Sequence, residues 1–362
     1  MIIHFKKPST WESAYIHYWN ADPNLPHSQW PGLKMSPEND DNWCLFKLNL
    51  KTQPELGVSI VFNDGKASQT CNLICQKSEG WFMDEEFWGF NPDKFKRFAF
   101  PEGRYKALVM SFDDGSRQDE RLISIFNANG IKGTFHINSG LTEYGDKISL
   151  MDIAKTYAGH EISAHSKTHP YLDGINKVEL LREEIEEDRI TLEKFSGNAV
   201  RGLSYPFGIT TSKLLKHLPK WGFIYGRVVN ETNDFRLPNN LFRWRPSCHH
   251  SAASDLAKRF VADSSEDLEV LFIWGHSWEL DSNKPRNNWY DMQKVCEFLG
   301  KREDIWYAGA TELAEYLNAI KSVELDKNGN TADNPKNNKI VLIKKGGSLV
   351  ALPPGESLAL KL

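Results

Sequence analysis

Lys106-Ala-Leu-Val-Met-Ser-Phe112 runs without interruption into Asp113-Asp114-Gly115. The apolar run reads as a strand, and the acids directly behind it place two carboxylates at the strand's end. In isolation Asp-Asp-Gly is also an ordinary turn, because Asp suits both turns and helix N-caps. Repetition decides the fold. Further apolar runs follow at 132–137, 160–164, 199–204, 223–228, 269–275 and 304–308, and helix-like stretches separate them, the clearest from Lys177 to Phe195. Alternating strand and helix with short connections predicts a parallel sheet, and in roughly 200 residues the economical form is a closed or nearly closed barrel. The chemistry of such a barrel lies at the C-terminal ends of its strands.

Those strand ends carry a pattern. The third is followed by His165-Ser-Lys-Thr-His169-Pro170. Two histidines four apart can converge on one metal, or they can be unrelated surface residues in a chain with 11 His. The acid pair of the first strand offers the missing third ligand, and Asp plus two His leaves a position open for water. The fourth strand closes with Ser204-Tyr-Pro206-Phe207-Gly208, a turn whose N–H groups can face an oxyanion or can merely end the strand. The sixth delivers His276 to the same rim, a general-acid candidate or a structural histidine.

Ser111-Phe-Asp-Asp-Gly115, His165-x-x-x-His169, Pro206-Phe207-Gly208 and His276 together resemble the NodB-homology polysaccharide deacetylases, carbohydrate esterase family four, across roughly residues 104–319. The resemblance implies a distorted (β/α)7 barrel and metal-dependent hydrolysis of acetyl groups on sugars. By motif position it implies Asp114, His165 and His169 as ligands of a divalent metal, with Zn²⁺ foremost. Asp113 would be general base, the Phe207 N–H part of an oxyanion hole, and His276 general acid. Three departures bear on substrate choice. Ser204 stands where the family usually has an Arg, so Arg201 or Arg227 must orient Asp113, and Arg227 is expected because it ends the next strand. The family's fourth motif, an Asp-Trp pair, has no match, its region holding Trp244 and Cys248-His249-His250. Trp274 replaces the usual Leu before His276. His249 and His250 can be read as ligands of a second metal, but with no further ligand pair beside them they read as loop residues lining the cleft, and the acidic run Glu183–Asp188 reads as a solvated helix face.

Outside the barrel the composition changes twice. Residues 1–95 alternate aromatic and polar positions in Tyr15-Ile-His-Tyr-Trp19, 43–50 and 58–62, with turns at Asp22-Pro23, Pro31-Gly32 and Asn63-Asp64-Gly65, the pattern of a small antiparallel β-sandwich. Tyr15–Trp19, Trp30-Pro-Gly32 and Phe62–Gly65 resemble starch-binding modules of the family twenty-six type. If Ile16 and Tyr18 face the core, His17 and Trp19 lie outside with Trp30 as a platform for sugar rings; the alternative is that these aromatics fill the core. Residues 92–103 read as a linker, 96–320 as the barrel and 321–362 as a small β-strand module beginning with a loop at 328–338. The chain is thus expected to be α/β, with a β-sandwich before the barrel and a short β segment after it.

Lys+Arg total 44 against 48 Asp+Glu, a net charge of −4, which gives no electrostatic reason to expect nucleic acid. No run approaches the ~18 apolar residues of a membrane span. Without a secretory signal in the sequence as given and with an odd five cysteines, a cytoplasmic place and reduced thiols are expected. The expected partners are an acetylated carbohydrate and an α-glucan-like polymer. Two other readings stay open: a non-catalytic carbohydrate-binding protein with a degenerate metal barrel, and a metal amidohydrolase on small amides.

Overall fold

The computed structural model describes every residue except 22–24, 39–40, 52–53, 327–328 and 361–362; the turn read at Asp22-Pro23, the head of the loop at Asn328, and Lys361 lie outside the described residues. The chain divides into two compact units, Met1–Lys94 and Phe95–Leu362.

The first unit is two facing sheets. One orders Ser36–Pro37, Trp43–Lys47, Ile2–Lys6, Glu79–Met83 and Glu86–Trp88; the other orders Leu33–Lys34, Tyr15–Trp19, Val58–Asn63 and Leu73–Cys75. Alternation sends Ile16 and Tyr18 inward, and Phe5 of one sheet stacks on Phe62 of the other at 4.0 Å between ring centroids. The expectation of a purely antiparallel sandwich is corrected at one place. Ile2–Lys6 pairs with Glu79–Met83 in parallel.

The second unit is built on one parallel sheet. Its strands are β1 (Lys106–Asp113), β2 (Gly133–Ile137), β3 (Glu161–Ala164), β4 (Gly202–Ser204), β5 (Tyr225–Arg227), β6 (Cys248–His249), β7 (Glu269–His276) and β8 (Ile305–Tyr307). The order is β5-β4-β3-β2-β1-β7-β6, and β8 joins the edge of β1. β1 is central: β7 runs along its whole length, while β8 takes Lys106–Leu108 and β2 takes Met110–Asp113 on the other edge. All eight of its residues are buried, as expected of a parallel strand covered on both faces. The sheet is curled and does not close by strand pairing; among the described residues its path ends at β5 and β6.

β6 is the strand missed in the sequence, because two residues carry no period. Its pairing with β7 sets His249 beside Trp274, so His249 is a strand residue and not part of a loop. Helices follow most strands. The longest, Val178–Ser196, buries Leu181, Ile185 and Leu192 at helical spacing and stops at Gly197, whose φ of 72° is the left-handed C-cap.

The stretch read as a linker is in large part structural. Phe95, Phe98, Ala99 and Phe100 are buried, and Phe98–Ala99 pairs with Val341–Lys345, which in turn pairs with Ser348–Leu352. Three phenylalanines in a short connection are apolar surface that must be covered. Tyr316 fastens this arrangement: its hydroxyl donates to the Ala99 carbonyl at 2.7 Å and accepts from the Leu342 N–H at 3.1 Å. The C-terminal strands therefore lie within the second unit.

Candidate active site

The C-terminal ends of β1, β3, β4, β5 and β7 meet at one mouth. Asp113, the last residue of β1, is 3% exposed. Its Oδ2 accepts from Ser204 Oγ at 3.0 Å and from Arg227 Nη2, and Arg227 also donates to Ser204 Oγ. Burial alone would raise the carboxyl's pKa. The Arg227 guanidinium, with smaller contributions from His165 and His136, overrides it and holds Asp113 well below the usual carboxylate range. Arg201 instead pairs with Glu315 at 2.6 Å.

Asp114 has φ 82°, a left-handed backbone at the turn after β1. Its Oδ2 accepts from Trp278 Nε1 at 2.8 Å, and Lys147 Nζ donates to its backbone carbonyl at 2.9 Å. Ser166, His169 and Phe207 also have positive φ, at 64°, 58° and 57°. Such backbone costs on the order of 1–3 kcal/mol per non-glycine residue and collects where a constellation must be held.

His165 decides what the mouth can hold. Its Nδ1 lies 2.8 Å from the Ser204 carbonyl, which can only accept, so Nδ1 carries the proton and Nε2 a lone pair. That lone pair is buried without a hydrogen-bond partner and faces Asp113 Oδ2 and Asp114 Oδ1, both at 3.7 Å. A lone pair and two carboxylates pointed at one space are mutually repulsive unless a cation lies between them. His169 completes the set: Asp114, His165 and His169 each offer a ligand atom, all within 4.8 Å of one another. The donor set of two imidazoles and one carboxylate fits a divalent first-row ion such as Zn²⁺.

The loop that carries His165 and His169 is braced from behind. Asn138 Nδ2 donates to the carbonyls of His165 and Ser166 at 2.7 and 3.0 Å. Asp188 accepts from the backbone N–H groups of Ser139 and His165 at 2.8 and 3.1 Å, and Glu184 accepts from Thr168 N–H at 2.9 Å. Reading Glu183–Asp188 as wholly solvated is therefore wrong for two residues. The missed signal was spacing, because Asp188 lies on the stripe of Leu181, Ile185 and Leu192, and a carboxylate there needs a buried partner.

On the opposite side, register sets His276 beside Asp113. Its Nδ1 lies 2.7 Å from Glu279 Oε1. Burial disfavours the imidazolium, but the Glu279 hydrogen bond and the charges of Asp113 and Asp114 outweigh it and raise its pKa. Glu279 was not read from the sequence; three residues behind His276, it stands where a carboxylate can fix the ring. Trp274 packs under the Arg227 guanidinium at 4.7 Å and donates to Glu231 at 3.3 Å, so it supports the acid–arginine pair. Trp244 is buried against Tyr225 and Phe272 and lines no groove. At the outer lip, Phe207 and Tyr171 stack at 4.1 Å and are exposed, and Phe207 meets His169 edge-on at 4.7 Å.

In the first unit, His17 lies 5.6 Å from Trp19 and 5.6 Å from Trp30, ring centre to ring centre, and Trp30 is 55% exposed. The three aromatics form one surface cluster, with Ser28 Oγ 2.9 Å from His17 Nδ1.

A parallel α/β sheet with an Asp–His–His mouth and a buried, arginine-paired carboxylate has the parts that metal-assisted hydrolysis needs. Residues 101–226 match the family model Polysaccharide deacetylase, and residues 3–75 match Starch-binding module 26. Residues 101–226 are thus similar to polysaccharide deacetylases, and residues 3–75 to starch-binding modules of family 26. A chitin deacetylase of Arthroderma benhamiae is 28% identical over 141 residues, a stretch that spans 37% of this chain and 37% of that protein. Among solved structures, the Xyl-CE4 domain of a multidomain xylanase from the hindgut metagenome of Trinervitermes trinervoides is 16% identical, covering 60% of this chain and 92% of that one with a TM-score of 0.41. The family 4 carbohydrate esterase from Streptomyces lividans is 16% identical, covering 54% of this chain and 88% of that one with a TM-score of 0.37.

Proposed function

We propose that this protein removes acetyl groups from an acetylated carbohydrate, using a divalent metal held by Asp114, His165 and His169. The observation that carries the reading is the buried, unpartnered Nε2 of His165 facing two carboxylates. An ion bound there would polarise the acetyl carbonyl and acidify a water. The chain's own groups supply the rest. Asp113, kept ionised by Arg227 and not needed as a ligand, accepts the proton of the attacking water. Phe207 offers its N–H to the developing oxyanion from the strained turn. His276, protonated through Glu279, Asp113 and Asp114, gives its proton to the departing amine or alcohol. Ser204 fixes both residues that matter to the base: its hydroxyl donates to Asp113, and its carbonyl sets the tautomer of His165.

The first unit, in this reading, holds an α-glucan-like polymer through His17, Trp19 and Trp30. The test is acetate release by the Zn²⁺-loaded protein from N-acetylglucosamine oligomers and O-acetylated glucans, with a chelator control. Release from one class and not the other names the linkage. No release from either, with metal bound, would move the assignment to a carbohydrate-binding protein or to a small amide.

A further inference from the structure

His249, His276 and Glu279 converge beside the mouth, and nothing in the proposed hydrolysis requires His249 there. Each contributes one ligand atom, and the three lie within 4.8 Å of one another. His276 Nδ1 is 2.7 Å from Glu279 Oε1, and His249 Nε2 is 3.2 Å from Oε2. For metal–nitrogen bonds near 2.0–2.1 Å, ligand atoms around a tetrahedral ion stand about 3.3 Å apart. The set therefore needs little rearrangement to close on an ion. We infer that His249, His276 and Glu279 form a second divalent-cation site that shares His276 with the proposed acetyl-releasing site.

Three features separate this cluster from an ordinary surface ion pair. The ligands are fixed by strands, since His249 sits in β6, paired to β7, and His276 ends β7. The side chains are 19%, 21% and 19% exposed for His249, His276 and Glu279, enough for an ion to enter from solvent. The outer contacts are those a bound ion needs. Ser251 Oγ lies 2.8 Å from His249 Nδ1, which also accepts from the Ser251 N–H at 3.4 Å; an ion on Nε2 would move the ring proton to Nδ1, where the Ser251 hydroxyl can accept it. Asn287 Nδ2 donates to Glu279 Oε2 at 3.1 Å, and Oε1 faces His276 Nδ1 at 2.7 Å, the edge at which an ion would replace the ring proton. His250 backs the site without joining it, its Nε2 lying 2.7 Å from Asn287 Oδ1.

Occupancy has a consequence that rests on the hydrolytic reading. An ion on Nδ1 of His276 displaces the proton held there, and the ring can no longer be an imidazolium acid. The second ion is then inhibitory, and excess metal shuts off acetate release that the first ion enables.

Equilibrium dialysis of the full chain against Co²⁺ tests the site without reference to activity. Two ions per chain are expected, one tighter than the other. His249→Gln and Glu279→Gln should each bind one, and His169→Ala should keep the weaker. A single ion on the unaltered chain, or two ions on both His249→Gln and Glu279→Gln proteins of native circular dichroism, would overturn the proposal. A companion measurement compares acetate release at stoichiometric and at excess Zn²⁺ within each variant. The ratio should fall at least tenfold for the unaltered chain and stay near one for His249→Gln. If no substrate yields acetate, the hydrolytic reading fails while the ion count still decides the site.

Discussion

Arg227 and Asp113 touch across the curl of the sheet: β5 and β1 have three strands between them in sheet order, yet the guanidinium and the carboxylate share a hydrogen bond inside the mouth. The bond is both a closure of the sheet's rim and the reason a fully buried carboxylate stays ionised. Arg227→Met should therefore cost stability as well as activity. Leaving one partner of a buried ion pair uncompensated costs about 3–5 kcal/mol, to be read from urea denaturation. Ser204→Ala removes a hydrogen bond to a charged group and should cost about 1.5–3 kcal/mol, with acetate release reduced further than folding explains.

Metal and fold should be linked. Zn²⁺ at 100 times its dissociation constant should stabilise the chain by about 2.7 kcal/mol, seen as a rise in the thermal midpoint that a chelator reverses. In His169→Ala that rise should shrink to what the second site alone provides. An undiminished rise would mean that His169 holds no ion.

Asp188 should behave as a positioning residue. Asp188→Ala strands the buried Ser139 N–H, at about 1–3 kcal/mol, and takes one of two acceptors from the His165 N–H, which keeps the Ile137 carbonyl at 3.1 Å. Because His165 loses this brace, affinity for the tighter ion should fall about 10–100-fold, the range expected of outer contacts of metal ligands. Dialysis against Co²⁺ separates this from simple destabilisation, which would leave affinity unchanged in the folded fraction.

The pH dependence should carry the mark of His160. Its Nδ1 accepts from the Gly133 N–H at 2.9 Å, and burial, then Lys132, lowers its pKa to about 4. The unfolded chain takes up this proton near pH 6.5, before the folded one does. Stability from this residue is thus complete above about pH 6.5 and declines as pH falls towards 4. The lead of the unaltered chain over His160→Gln in thermal midpoint should narrow between pH 7 and pH 4.5. A constant gap would refute the assignment.

In the first unit, Trp30→Ala should weaken retention on insoluble starch by a few-fold to tenfold, matching about 0.5–1.5 kcal/mol for a lost aromatic contact. Because Trp30 is largely exposed, the thermal midpoint should hardly move.

What was legible in the sequence was whatever repeats or stands at a strand end. β1 announced itself by the apolar run over 106–112, and Asp114, His165 and His169 by where strands stop. Less visible were residues whose meaning lies in distant partners. Asp188 looked like one more acid in an acidic run until the neighbouring backbone N–H groups were placed around it. Cys248-His249 is too short to show a strand's period, so the pairing that presents His249 beside Trp274 stayed hidden, and with it the contact to Glu279. Phe98 and Phe100 read as linker because their partners come from the far end of the chain.

That last pairing has a bearing on how the protein is made. Phe98 meets Ile343, so the strand leading into the barrel cannot be paired until some 245 further residues have been made. At about 5–20 residues per second, that is a wait of roughly 12–50 s with Phe98 unpaired. During synthesis this is the stretch that chaperones would guard, and a release of the chain before Val341 would leave it open for good.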